Sequence, residues 1–219
     1  MTGKTSKLQL IKGQDNLVLT DLQRERLIKR AAKQFGKFLT AMGYDWQNDP
    51  HMNDTPTRVT KAYVNELFSG NFHPEPKSTS FEDPDKVLAY GGMVTQTNIT
   101  LKSTCSHHFL PFTGKCHVSY IPGEDGKVIG LSKLNRIADF YARRPQVQER
   151  LTKQILLGLK KILPEAKGIA VTIVSKHSCC ELRGIQHNSE MVTTELDGVY
   201  HKPDVKSEYF FGIQNKMNL

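Results

Sequence analysis

Between Leu19 and Met42 the apolar residues Leu22, Leu27, Ala31, Ala32, Phe35, Phe38 and Leu39 recur at steps of three and four, which predicts an amphipathic helix. Thr20 and Asp21 are suited to cap it and Gly43 to stop it. A second helix is predicted from Thr55 or Pro56 to Leu67, with Val59, Ala62, Tyr63 and Leu67 on one face and Gly70 closing it. From Phe72 to Asp85 the period is lost, and Pro74, Pro76 and Pro84 among Ser and Thr predict an extended connector.

Beyond the connector the period changes to two. Met93 to Thr104 and Lys115 to Ile121 alternate as strands, with Cys116, Val118 and Tyr120 facing one way and His117, Ser119 and Ile121 the other. Gly114 predicts a tight connection between them, hence a hairpin. Helices follow at Ser132 to Ala142 and Val147 to Leu163, with Pro145 suited to the entry of the second, and strands return at Gly168 to His177 and Met191 to Val199. The order strand, strand, helix, helix, strand, strand predicts an α+β domain, an antiparallel sheet with two helices on one face. The expected organisation is a helical appendage over 1–72, a connector over 73–87 and the α+β domain over 88–219.

Composition narrows the classes. The 219 residues carry 30 Lys+Arg against 22 Asp+Glu, a net charge of +8, and 38% of them are hydrophobic, an ordinary globular composition. The longest apolar runs, Ile155 to Leu159 and Ile169 to Val174, are far shorter than the ~20 residues a bilayer requires. The first residues lack the ~7–15-residue apolar core of a secretory signal, so a cytoplasmic location is expected. The positive charge fits nucleic acid, acidic lipid or a polyphosphate substrate, and its placement has to decide among them.

Two clusters carry metal-binding chemistry. Cys105-Ser106-His107-His108 follows one predicted strand, and His177-Ser178-Cys179-Cys180 ends another ~70 residues later. Zinc takes Cys sulfur and His nitrogen, and a catalytic site keeps three protein ligands with an open fourth position. Cys105, one histidine of the pair and one cysteine of the second cluster meet that count. On a strand, residues two apart share a face, so His177 and Cys179 pair while Cys180 turns away into packing.

An anion site is predicted at Gly130-Leu131-Ser132-Lys133-Leu134-Asn135-Arg136, because cations in a first helical turn oppose the macrodipole unless an anion compensates both. In Arg144-Pro145-Gln146-Val147-Gln148-Glu149-Arg150, the carboxylate of Glu149 suits two parallel N–H donors such as those on the edge of a guanine.

Taken together, Thr104-Cys105-x-His107-His108, Gly130 to Ile137, Arg144 to Thr152 and His177-x-Cys179-x-x-x-Arg183-Gly184 resemble GTP cyclohydrolase I of the zinc-dependent type. The likeness runs over roughly residues 50 to 214 and includes Asp54-Thr55-Pro56-Thr57-Arg58-Val59. It implies a tunnelling fold (ββααββ) whose subunits close side by side, with active sites at the interfaces of a homodecamer.

The resemblance also implies zinc on Cys105, His108 and Cys179, with His107 and His177 as proton-transfer groups. Glu149 would hold the guanine with Gln148 alongside, Ser132 would lie near the ribose, and Lys133, Arg136, Arg183 and Lys77 would hold the triphosphate. The implied reaction opens the imidazole ring of GTP at C8, releases formate and recloses the rest as 7,8-dihydroneopterin triphosphate. Neither nucleic acid nor a membrane is an expected partner. The family usually has Glu where this chain has Ser106, which removes a carboxylate beside the metal. The rival reading, a nucleic-acid binder with a closed structural zinc, finds no basic stripe with interleaved aromatics to support it.

Overall fold

The computed structural model describes residues 9–77, 80–81, 90–124 and 126–217. The chain divides into two compact units, Met1–Pro74 and Glu75–Leu219. In the first, helix α1 (Asp21–Ala41) begins in a capping box: Thr20 Oγ1 accepts from the Gln23 amide, and Gln23 Oε1 accepts from the Thr20 amide. Gly43 follows with φ +86°, the left-handed conformation of a helix stop.

Helix α2 (Thr55–Ala62) ends earlier than its period predicts. The backbone widens into a π-helical turn over Tyr63–Leu67, and Gly70 lies inside a further turn, α3 (Ser69–Phe72), instead of closing the helix. The reason is tertiary. Asn71 is buried and its amide holds the carbonyls of Gly13 and Asp15, so the preceding segment is tied down at α3.

In the second unit, residues 78–79 and 82–89, which include part of the expected connector, lie outside the described residues, and β1 (Ser80–Phe81) pairs with β4 (Val128–Ile129). The main sheet contains β2 (Val94–Cys105), β3 (Pro111–Ile121), β5 (Pro145–Gln146), β6 (Gly168–His177) and β7 (Glu190–Gly198), in the order β5-β2-β3-β6-β7. All neighbours are antiparallel except β5, which runs parallel to β2. Pro145 therefore belongs to a short edge strand and does not open the next helix, a position open to proline because an edge leaves one side unpaired.

Gly114 does not mark the hairpin turn, which lies at residues 106–110. It sits inside β3, where a Cβ would come within 2.0 Å of the Val174 carbonyl oxygen. Its smallness permits close approach of β6, so the glycine signal was one of packing and not of turning.

Helices α4 (Leu131–Ala142) and α5 (Gln148–Ile162) cover one face of the sheet. Leu134, Ile137, Leu151, Ile155 and Leu159 pack there with Cys116, Val118, Tyr120, Ile169, Val171 and Ile173. The opposite face is covered by α7 (Pro203–Met217), which the sequence reading lacked. Tyr209 and Ile213 bury against Ala170, with Ile121 and Leu196 beside them. Burial on both faces accounts for the largely apolar run of β6, in which Thr172 is the one polar residue between Ile169 and Val174.

His117 faces this second side, is fully buried, and has no hydrogen-bond partner on either ring nitrogen among the described residues. Burial, and after it the charge of Lys115, lowers its pKa from the ordinary 6.5. Below that pH the unfolded chain takes up a proton that the folded chain refuses. Stability present above pH ~6.5 is therefore lost as the pH falls towards the depressed folded value. Urea unfolding from about pH 7.5 to 5 is expected to show a falling midpoint, with a shallower fall in His117→Leu. Parallel curves would assign the acid sensitivity elsewhere.

Candidate active site

The site is built at one end of the sheet. β2 stops at buried Cys105, and the chain reverses through Ser106–Leu110: the Phe109 amide donates to Cys105 O at 2.9 Å, and the Cys105 amide to Leu110 O at 2.8 Å. Phe109 takes φ +54° in this turn. β5 lies alongside, with Cys105 opposite Gln146, and the Ser106 amide donates to Gln146 O at 2.8 Å. This pairing brings the start of α5, Gln148 and Glu149, beside the Cys-His turn. On the other side His177 ends β6 opposite Phe112 of β3, and its ring stacks on Phe112 at 4.5 Å with an interplanar angle of 5°.

The ligand atoms of Cys105, His108 and Cys179 lie within 4.8 Å of one another, the one such group among the described residues. Two thiols and an imidazole this close suit a cation. Burial first, then the neighbouring Cys105 and Cys180, push the Cys179 thiol up to about 11, so two thiolates here require a compensating positive charge. The donor set therefore fits a metal ion.

Cys179 joins the group through a route the strand pattern did not foresee. It lies on a single helical turn, α6 (Ser178–Glu181), and not on an extension of β6. Cys180, expected to be packed, is exposed. Alternation ends with the strand, so it could not orient either residue.

Exposed His107 has Nδ1 3.8 Å from Cys105 Sγ. Arg183 Nη1 donates to His108 Nε2 at 2.7 Å. The pKa of half-buried His177 is lowered by burial, opposed by the charge of exposed Glu149. Gln148, expected beside the guanine, is 1% exposed and its side-chain amide is spent inside the protein, on His177, Ser175, Thr193 and two backbone carbonyls. Thr152, Ser175 and Thr193 belong to this network and were missed. Two weak signals were available: Thr152 is one helical turn after Gln148, and Ser175 is two strand positions before His177.

The expected anion residues stand apart. α4 runs along β2 from Gln96, whose Nε2 donates to Asn135 Oδ1 at 2.6 Å, to Ser103, whose Oγ donates to Ala142 O at 2.7 Å. Gly130 is the N-cap residue of α4, and Ser132 is exposed in its first turn. Lys133 Nζ donates to Lys77 O at 2.9 Å. Arg136 lines a cavity of about 460 Å³ with Gln96, Asn98 and Asp139. Nine residues of strand separate Gln96 from Cys105, roughly 25–30 Å. Lys133 and Arg136 lie in the first half of α4, towards Gln96, while the helix ends at Ala142 beside Ser103.

Fold and site together define an α+β protein with a metal-competent Cys-His-Cys group beside a histidine and a carboxylate. The model of the family GTP cyclohydrolase I matches residues 31–214. The GTP cyclohydrolase 1 of Flavobacterium johnsoniae is 43% identical over 191 residues, covering 86% of this chain and 82% of that protein. That of Wigglesworthia glossinidia brevipalpis is 43% identical over 185 residues (83% and 82%), and that of Aeromonas hydrophila 42% over 201 residues (90% and 89%). The chain belongs to the GTP cyclohydrolase I family, and its ββααββ core is the tunnelling fold of that family.

Proposed function

We propose that this protein catalyses the GTP cyclohydrolase I reaction. GTP and one water give formate and 7,8-dihydroneopterin triphosphate, the first step of pterin and folate biosynthesis. The observation that carries this reading is the meeting of Cys105, His108 and Cys179 within 4.8 Å at the sheet end that also holds His177 and Glu149.

The metal is zinc, held by Cys105, His108 and Cys179. When bound it supplies Lewis acidity, which makes water a better nucleophile near neutral pH. The chain does the rest. Glu149 accepts from N1–H and the 2-amino group of guanine, orienting C8 towards the metal end. His177 and His107 hold and move protons at the purine nitrogens as the ring opens. Ser132 lies near the ribose, and Lys133, Arg136, Arg183 and Lys77 neutralise the triphosphate.

Lys133 and Arg136 stand on the half of α4 that lies towards Gln96, away from the strand end that carries Cys105. This placement supports a site shared between copies, one supplying the metal end and the next supplying Lys133 and Arg136 from α4. The proposed assembly is a homodecamer in the cytoplasm, with residues 1–72 as a helical appendage and 73–87 as its connector to the catalytic domain. No helix among the described residues is long and apolar enough to cross a membrane.

Zinc-loaded protein incubated with GTP is expected to release formate and the pterin together, and a chelator to stop both. Formate without pterin would reduce the reading to ring opening, with Ser106 the residue to examine. Neither product from folded, zinc-loaded protein would refute it.

A further inference from the structure

We propose that Gln148 is a positioning residue for His177. Held by the carbonyls of Ile173 and Met191 and the hydroxyls of Ser175 and Thr193, its amide keeps a proton on His177 Nε2 and leaves Nδ1 as the ring atom that gives or takes a proton in the reaction. This rests on the proposed turnover of GTP at this end of the sheet.

The hydrogen bonds leave one arrangement of protons. Gln148 Nε2 lies 2.9 Å from Met191 O, 3.2 Å from Ile173 O and 3.1 Å from Thr193 Oγ1. Two of these are backbone carbonyl oxygens, which only accept, so the atom facing them must be the amide nitrogen. The opposite atom, Oε1, accepts from Ser175 Oγ at 2.6 Å and meets His177 Nε2 at 2.8 Å. An amide oxygen has no proton to offer. His177 Nε2 must therefore donate, whether the ring is neutral or cationic.

The hydroxyls behind the amide complete the accounting. Thr152 Oγ1 donates its single proton to Gln148 O at 2.8 Å, so in its 2.7 Å contact with Thr193 Oγ1 it accepts. Thr193 donates there and keeps a lone pair for Gln148 Nε2. Gln148, Thr152 and Ser175 are 1%, 0% and 1% exposed, which denies them water as a substitute partner. Stacking on Phe112 fixes the plane of the imidazole, and the network fixes which edge carries the proton.

Loss of tautomer control in a catalytic triad costs about 10⁴ in kcat. Removing the Gln148 amide frees the tautomer but leaves the imidazole in place, so a loss of roughly 100-fold is expected. The test is solid-state ¹⁵N NMR of the full-length, histidine-labelled protein, with the His177 signals identified by their loss in His177→Gln. The wild type should show a protonated Nε2 and a bare Nδ1. Gln148→Leu should introduce the second tautomer and lower kcat about 100-fold, with KM for GTP moving less than about twofold. Thr193→Val disturbs the same buried network but leaves both carbonyls facing the amide, so it should keep the wild-type tautomer and turnover, which separates positioning from a general loss of structure.

A wild-type proton on Nδ1 would overturn the proposal. So would an unchanged Nε2–H tautomer in a Gln148→Leu protein that has lost turnover. A wild type with the Nε2–H tautomer but no product from GTP would support the positioning and refute the functional reading instead.

Discussion

Cys179→Ala is expected to abolish zinc retention, while Cys180→Ala leaves it intact. Cys179 shares a space of 4.8 Å with Cys105 and His108, whereas Cys180 is the exposed neighbour on the same helical turn. Loss of a partner that merely supports a ligand costs ~10–100-fold in metal affinity, and loss of one of three ligands should exceed that. Zinc per chain after passage through a chelating resin measures both variants. Equal losses would make Cys180 a ligand and the Cys105-His108-Cys179 grouping incomplete.

Glu149→Ala should lower kcat/KM for GTP by roughly 10²–10⁴, corresponding to two hydrogen bonds to a charged acceptor at ~1.5–3 kcal/mol each. Glu149 stands exposed in the first turn of α5, where the helix N-terminus favours its negative charge and the Gln148 side chain points inward. Inosine triphosphate, which lacks the 2-amino group, separates recognition from general damage. It should be the poorer substrate for the wild type and nearly equal to GTP in the variant. Discrimination that survives the substitution would remove Glu149 from guanine recognition.

The four long strands and the two covering helices were legible because each spans nine or more residues. Tyr209 and Ile213 of α7 are buried, but adjacent Phe210 and Phe211 blur the helical period around them, so this helix escaped notice. The metal-competent trio was legible as residue types in two short clusters. Cys179, and not Cys180, joins Cys105 and His108 through a helical turn, where strand parity, applied beyond the end of the strand, has no force. Gly114 and Pro145 were recognised as breaks in pattern but assigned to turning and helix entry. Their reasons, the close approach of β6 and an edge pairing with β2, involve residues distant in sequence.

The same division runs through the site. By itself the sequence determined which chemistry was on hand: thiols and imidazoles for a metal, a carboxylate at a helix start, and cations at another helix start. It also determined the local elements, because period and capping depend on residues a few positions apart. Only the tertiary structure decided which of these groups meet. Pairing of β5 with β2 and of β6 with β3 gathers Cys105, Glu149, His177 and Cys179, while the course of α4 along β2 carries Lys133 and Arg136 to the far end. Gln148 changed role for the same reason. Its hydrogen bonds go to β6 and β7, whose positions relative to α5 are set by burial of a shared core and not by any neighbour along the chain.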